Sequence, residues 1–224
     1  TLGTKLTAMA GVRFDHSSIY GNFFTPRFHV KYSPVDAISI RLSAGKGYLT
    51  VFGLAEYNYL LASGREFQIT GDGLKQEEAW NYGMSTAFYI PMFGKTLKLN
   101  AEYYYTDFRN QAVVDYDANK GLISIYNLIG KSYSHTFQID ASYPLLKGLE
   151  ITAAYRLNDV KCTYDYGKTL KEKPLTSKYK ALFTASYKTP LGLWQFDATV
   201  QLNGGGRNPE PYQLADGSQS WSPR

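Results

Sequence analysis

The sequence predicts an all-β fold, a transmembrane antiparallel β-barrel to which this chain contributes about nine strands. Three observations carry that expectation. Apolar and polar residues alternate over long runs, tight and long connections alternate between the runs, and charged residues keep to one parity.

The first runs are Leu6–Asp15, Arg27–Tyr32 and Ile38–Ala44. Glu78–Ile90 follows, with one lapse, Thr86 on the apolar face. Leu97–Thr106 sets Leu97, Leu99, Ala101, Tyr103 and Tyr105 against Lys98, Asn100, Glu102, Tyr104 and Thr106. Thr136–Tyr143, Ile151–Asn158 and Lys178–Lys188 repeat the order. In Trp194–Asn203 it is strict, with Trp194, Phe196, Ala198, Val200 and Leu202 on one side. Period two puts all these apolar side chains on one face of a strand. Most runs approach the ~9–11 residues that cross a bilayer at a tilt, whereas strands of soluble sandwiches average about five or six.

Four connections are tight and carry Pro: Ser33–Ala37, Pro91–Lys95, Pro144–Gly148 and Pro190–Leu193. Pro and Gly set turn dihedrals and stop the ladder. Between them lie four longer ones, His16–Phe24, Leu49–Gln76, Gln111–Ser132 and Tyr164–Leu175. Bacterial outer-membrane barrels place short turns at the periplasm and long loops outside, so this alternation orients the barrel.

Aromatics and charges fit the same frame. The chain has 20 Tyr, 12 Phe and 3 Trp, a load suited to headgroup-level girdles. On the apolar parity, Tyr32, Phe88, Tyr143 and Tyr187 precede tight turns and Trp194 follows one. Phe14, Trp80, Tyr82, Tyr103 and Tyr105 sit near the opposite strand ends. Arg13, Arg27, Lys31, Arg41, Lys98, Asp140, Arg156 and Asp197 all fall on the polar parity. A Lys or Arg facing lipid at mid-bilayer would cost roughly 2–4 kcal/mol.

Composition excludes several classes. No apolar stretch approaches the ~18 residues of a transmembrane helix. The net charge of +5, from 24 basic and 19 acidic residues, holds no basic run of the kind that tracks nucleic acid. Cys162 is the only cysteine, so no intrachain disulfide forms. Gly45-Lys46-Gly47 lacks the rest of a phosphate loop. Asp115, Asp117, Asn119 and Gly121 imitate the start of a calcium loop, but the glycine is one place late and Tyr126 stands where a bidentate Glu belongs. His16, His29 and His135 lie far apart, and Glu77–Glu78 has no partner base. No enzyme, metal site or cofactor is expected.

The chain reads as a piece of a larger barrel. About nine strands is an odd number where single-chain bacterial barrels use even ones, and Pro209–Arg224 reads as an outer loop. An open barrel would expose unpaired backbone to lipid, so further strands are expected on both sides, and Thr1 is expected to follow a removed or processed segment.

Several stretches resemble TonB-dependent outer-membrane receptors, in a form similar to those of Bacteroidetes-type bacteria. Gly73–Gly83 (GLKQEEAWNYG) resembles the family's L-K-P/Q-E-x-A/S-W-N-Y/F-G/E start of a strand after a long outer loop. Leu42–Tyr48 resembles the strand before that loop, Asn100–Asn110 the strand after, and Tyr126–Ser132 (YNLIGKS) the start of the next. Thr25–Pro34 (TPRFHVKYSP) resembles the frequent P-R-x-x-x-x-Y-x-P strand and turn.

The resemblance implies a 22-stranded barrel whose lumen holds an N-terminal plug, with residues 1–224 a partial barrel domain lacking plug and final strand. It implies TonB-coupled uptake of a scarce bulky nutrient such as a ferric siderophore, haem or cobalamin, in the bacterial outer membrane. The implied partners are outer-membrane lipid, the chain's own plug, the TonB energy-coupling complex and a small-molecule or metal-chelate substrate. A surface lipoprotein is also admitted. The alternative is a passive porin or adhesin, which would lack plug and TonB box. Substrate contacts are expected from the longest loop, where Tyr57, Asn58, Tyr59 and Arg65 offer stacking and hydrogen bonds to a polar or anionic ligand. Arg13, Arg41 and Arg156 are expected to face the lumen and the plug.

Overall fold

Each alternating run becomes a long strand. A computed structural model describes residues 5–63, 65–70, 73–118 and 121–209. The strands are β1 (Leu6–Ser17), β2 (Gly21–Val35), β3 (Ile38–Leu49), β4 (Glu66–Ile69), β5 (Glu77–Met92), β6 (Lys95–Asn110), β7 (Ala112–Asp115), β8 (Leu122–Asn127), β9 (Ser132–Leu146), β10 (Leu149–Tyr164), β11 (Thr169–Glu172), β12 (Tyr179–Lys188) and β13 (Gln195–Asn203). A short helix α1 (Gly53–Tyr57) and a 3-10 turn (Asn58–Ser63) lie between β3 and β4. None of the described helices is long and apolar enough to cross a membrane.

Nine strands form one meander in the order β1-β2-β3-β5-β6-β9-β10-β12-β13, and β11 adds to β10. All pairs along it are antiparallel. The sheet is an arc of barrel wall. Beyond it, β4, β8 and β7 make a small separate sheet in which β4 runs parallel to β8.

The strands exceed the runs of alternation that announce them. β5, β6 and β10 each have 16 residues, about 53 Å at ~3.3 Å per residue, whereas a tilted strand crosses the bilayer in about ten. The excess carries the long connections clear of the membrane. The first connection departs from expectation: the β1–β2 ladder continues through Ser17↔Gly21, leaving a three-residue turn at 18–20 where His16–Phe24 read as a long loop. Gly21, at φ +80°, supplies the left-handed residue on which β2 starts. The other outer connections are long, so the alternation holds for three of the four.

The β5–β6 hairpin turns on Phe93 (φ +49°) and Gly94 (φ +72°), two consecutive left-handed residues that match the strand twist. Gly148, at φ +83°, admits no side chain, because a Cβ there would lie 2.2 Å from the Lys188 carbonyl oxygen.

Burial is inverted relative to a water-soluble domain. Among the described residues, the buried apolar side chains lie in the outer connections and adjoining strand ends: Val51, Leu60, Ala112, Val113, Ile123, Ile125, Tyr126, Cys162 and Tyr164. The sheet's apolar face, with Phe28, Leu42, Tyr103, Phe137, Phe183 and Val200, stays exposed within the chain. A continuous apolar face of this extent requires a non-aqueous partner, which lipid supplies. Thr86, the one lapse on that face, donates its hydroxyl to the Ala101 carbonyl at 3.3 Å, so it presents no unmet donor to lipid. At the outer end Trp80, Tyr82, Tyr105 and His135 form a ladder of stacked rings, with centroids 6.2, 6.3 and 4.7 Å apart. The Tyr103 hydroxyl lies 2.7 Å from His135 Nδ1.

Spin labels in the full-length protein test this parity. Labels at Ala198 and Val200, paired with Ala185 and Phe183 on the apolar face, are expected to report lipid, and labels at Thr199 and Gln201 water. Uniform aqueous exposure at all four would contradict the assignment.

Candidate functional site

The outer connections fold into a cap. Residues 50–76 bring α1, the 3-10 turn and β4; residues 111–131 bring β7 and β8; residues 165–178 bring β11. Short β-branched runs, Ala112-Val113-Val114 and Leu122-Ile123-Ser124-Ile125, make strands inside what reads as loop. Their apolar residues join Leu60 in one cluster with Ile123 and Ile125, and Val113, Tyr126, Cys162 and Tyr164 in another. The cap is thus a packed body rather than a set of separate excursions.

A cavity of about 500 Å³ opens in this cap. Its rings are Tyr57, Tyr59, Tyr116 and Tyr164, and its ionisable side chains include Glu56, Glu77 and Lys173. The Tyr59 and Tyr116 hydroxyls lie 3.2 Å apart. Burial holds the Tyr57 and Tyr116 phenols well above the ordinary tyrosine range, with neighbouring acids adding for Tyr57 and the Tyr59 hydroxyl for Tyr116. Both are neutral at physiological pH and act as O–H donors and apolar faces. Glu77 accepts the Ala112 amide at 2.9 Å, fixing the β5 end of the cavity.

The expected contact residues divide. Tyr57 and Tyr59 line the cavity. Asn58 begins the 3-10 turn and does not line it. Arg65 braces it from behind, donating from Nη2 to the Tyr116 carbonyl at 2.9 Å. Tyr116, Tyr164, Glu77 and Lys173 were not anticipated as lining residues. Their segments lie far apart in sequence and meet only through the cap. The three expected lumen arginines lie on the polar face of the sheet. Arg13 pairs with Asp15 at 2.8 Å, Arg156 donates to Asn158 at 3.0 Å, and Arg41 stands opposite Lys31.

Asp115 holds the cap together. Its side chain is fully buried and accepts four hydrogen bonds: from the Tyr126 hydroxyl (2.7 Å) and the amides of Asp165 (2.7 Å), Asp117 (3.0 Å) and Ala118 (3.1 Å). Burial alone would raise its pKa, but these bonds outweigh it and hold the carboxyl below its ordinary range. Tyr126 stacks on Tyr166 with centroids 4.6 Å apart. Arg207 pairs with Asp117, donates to the Glu172 carbonyl at 2.7 Å, and covers the Tyr164 ring at 5.3 Å. Three connections are therefore fastened at one place.

Of the motifs set aside in the sequence, Gly45-Lys46-Gly47 lies within β3, where Lys46 pairs with Glu78 at 2.8 Å. Asp115 turns both oxygens to protein donors, and Asn119 lies outside the described residues, as do residues 210–224 of the expected terminal loop. Among the described residues no group of three His, Cys, Asp or Glu side chains is placed to hold a metal.

Comparison with known proteins agrees with this architecture. Residues 1–223 match the family model described as TonB dependent receptor-like, beta-barrel. No curated protein matches. Among solved structures, a mutant of the ferric enterobactin receptor PfeA from Pseudomonas aeruginosa is 17% identical with a TM-score of 0.61, covering 91% of this chain and 31% of that one. The FrpB iron transporter from Neisseria meningitidis is 15% identical with a TM-score of 0.61, covering 88% and 30%. The ferric citrate transporter FecA, unliganded, is 20% identical with a TM-score of 0.60, covering 89% and 30%. The chain thus spans about a third of the length of these structures. The family is one of outer-membrane receptors and transporters. With a match over all but its last residue, this chain belongs to the TonB-dependent receptor-like β-barrel family.

Proposed function

We propose that this chain is part of the barrel of a bacterial outer-membrane receptor for TonB-coupled uptake of a scarce bulky nutrient, such as a ferric siderophore, haem or cobalamin. The aromatic cavity of the outer cap makes the first contact with that substrate. One observation carries this reading: a packed, tyrosine-lined cavity of about 500 Å³ sits in the outer cap of a wall whose inner face is polar. Neutral phenols can stack on a planar ligand and donate hydrogen bonds to its oxygens without repelling an anion. Residues 1–224 then form a partial barrel domain, completed by strands and an N-terminal plug elsewhere in the polypeptide. Its partners are outer-membrane lipid, the plug, the TonB complex, the substrate and, in an assembled form, a surface lipoprotein. Arg13, Arg41 and Arg156 face the plug.

Binding and uptake together test the proposal. The full-length receptor is titrated with ferric enterobactin, ferric citrate, haem and cobalamin, following quenching of its intrinsic fluorescence. Tyr116→Ala is expected to weaken the bound member of this panel by about tenfold, equivalent to roughly 1.4 kcal/mol, and Tyr57→Ala similarly. Growth on that compound should stop in cells lacking TonB. Ligand-independent ion conductance and uptake that persists without TonB would instead identify a passive barrel.

A further inference from the structure

The strand register places most of the wall's inner charge in one line. Lys31 on β2 stands directly opposite Arg41 on β3. The same row continues through Ser85, Glu102 and Gln138 to Arg156 on β10, which stands directly opposite Lys180 on β12. Two pairs of like charges therefore face each other across neighbouring strands, with one carboxylate between the pairs.

Directly opposed like charges destabilise a sheet. Among the described residues none of these four cations makes an ion pair, and Arg156 has only its bond to Asn158. All four side chains are exposed within this chain. Beside Lys31 and Arg41 the wall is hollowed to about 350 Å³. Gly83 carries no side chain there, and the Tyr104 ring occupies the position a Cβ would need, with Cε1 2.3 Å away. His29 and Ser43 line the same hollow.

We infer that this row is a docking belt for an acidic protein face inside the lumen, with carboxylates seated between Lys31 and Arg41 and between Arg156 and Lys180. The inference rests on the reading that a polypeptide domain fills the barrel, and adds the charge and position of its contact. Span decides the class of partner. Six strand spacings separate β2 from β12 in the sheet order, roughly 29 Å along the wall at about 4.8 Å each. A small ligand cannot satisfy both pairs at once, whereas a folded polypeptide can. Charge decides its sign: four cations against one carboxylate leave an excess that acidic groups neutralise at close range.

Carbodiimide coupling in the full-length receptor tests it, because the reagent joins a lysine amine to a carboxylate only where the two touch. Lys31 and Lys180 are each expected to be linked to an Asp or Glu of the polypeptide N-terminal to this chain, identified by mass spectrometry of the digest. The links should vanish in Lys31→Arg and Lys180→Arg, which keep the charge. The combined Lys31→Gln, Arg41→Gln, Arg156→Gln and Lys180→Gln variant should raise residual ion conductance in planar bilayers at least fivefold, with the folded barrel still migrating as such in unheated gels. Lysines left unlinked, or linked only to Glu102, overturn the inference, as do links that form only when an anionic ligand is added. A mature polypeptide too short to hold a lumen-filling domain overturns the transport reading as well. A full-length one with unlinked lysines overturns this inference alone.

Discussion

Replacing Asp115 with Ala is expected to release the outer cap while leaving the barrel wall intact. The carboxylate is fully buried and accepts from one hydroxyl and three amides. Truncation leaves four donors without an acceptor, and removing one partner from a buried charged network costs about 3–5 kcal/mol. The loss should be local, because β7 and β8 belong to a sheet separate from the meander. Native-state hydrogen exchange should show protection of the Ala112–Asp115 and Leu122–Asn127 amides falling by two to three orders of magnitude, equivalent to about 3–4 kcal/mol. The β5–β6 ladder should not change. Asp115→Asn should fall between, since one amide oxygen still accepts while its NH₂ meets donors. The pH dependence has a definite sign. A carboxyl held below its ordinary range contributes stability that is present above the unfolded pKa of about 4 and is lost as pH falls through the lower folded value. The cap should therefore hold at neutral pH and loosen in strong acid before the wall does. Equal protection in wild type and Asp115→Ala would show that the network is not what fastens the cap.

The cap is also where sequence reasoning was least informative, and the cause is physical. Wall strands write their environment into the chain: lipid on one side and water on the other impose period two, and charges such as Arg41 and Asp197 must follow it. The same constraint makes register legible, down to Thr86, whose lapse is answered by a backbone carbonyl. In the cap no such two-sided environment exists. Ile123 and Ile125 are buried by contacts from distant segments, and Val113 and Tyr164 meet through folding rather than spacing. Tyr57 and Tyr59 could be picked out as aromatic residues on the longest loop, but Tyr116 and Tyr164 could not be assigned to the same cavity without the β4–β8 pairing. Asp115 shows the limit most clearly. Its spacing with Asp117 imitates a calcium loop, while its geometry is that of an internal staple. The short β1–β2 turn was missed for the opposite reason: Gly21-Asn22-Phe23-Phe24 begins with turn-forming residues, yet pairs through to Ser17.

A one-residue shift in the position of a new charge should separate the two faces of the wall most sharply. Ala101 lies near the middle of β6, opposite Thr86 and Ile139 on the lipid face. Asn100, its neighbour in sequence, points to the other face and donates to Asp140 at 2.8 Å. Ala101→Arg forces a guanidinium toward hydrocarbon and is expected to destabilise the full-length receptor by about 2–4 kcal/mol, measured by chemical denaturation in lipid vesicles. Folded protein in the outer membrane should fall with it. Asn100→Arg inserts the same side chain next to Asp140, where water and an opposite charge receive it, so its effect should stay within about 1 kcal/mol. The pair isolates environment from residue type, since strand, depth and substituent are shared. Equal destabilisation by both would mean that Arg is rejected for its bulk. A larger loss from Asn100→Arg would invert the assignment of faces and, with it, the placement of Arg13, Arg41 and Arg156 in the lumen.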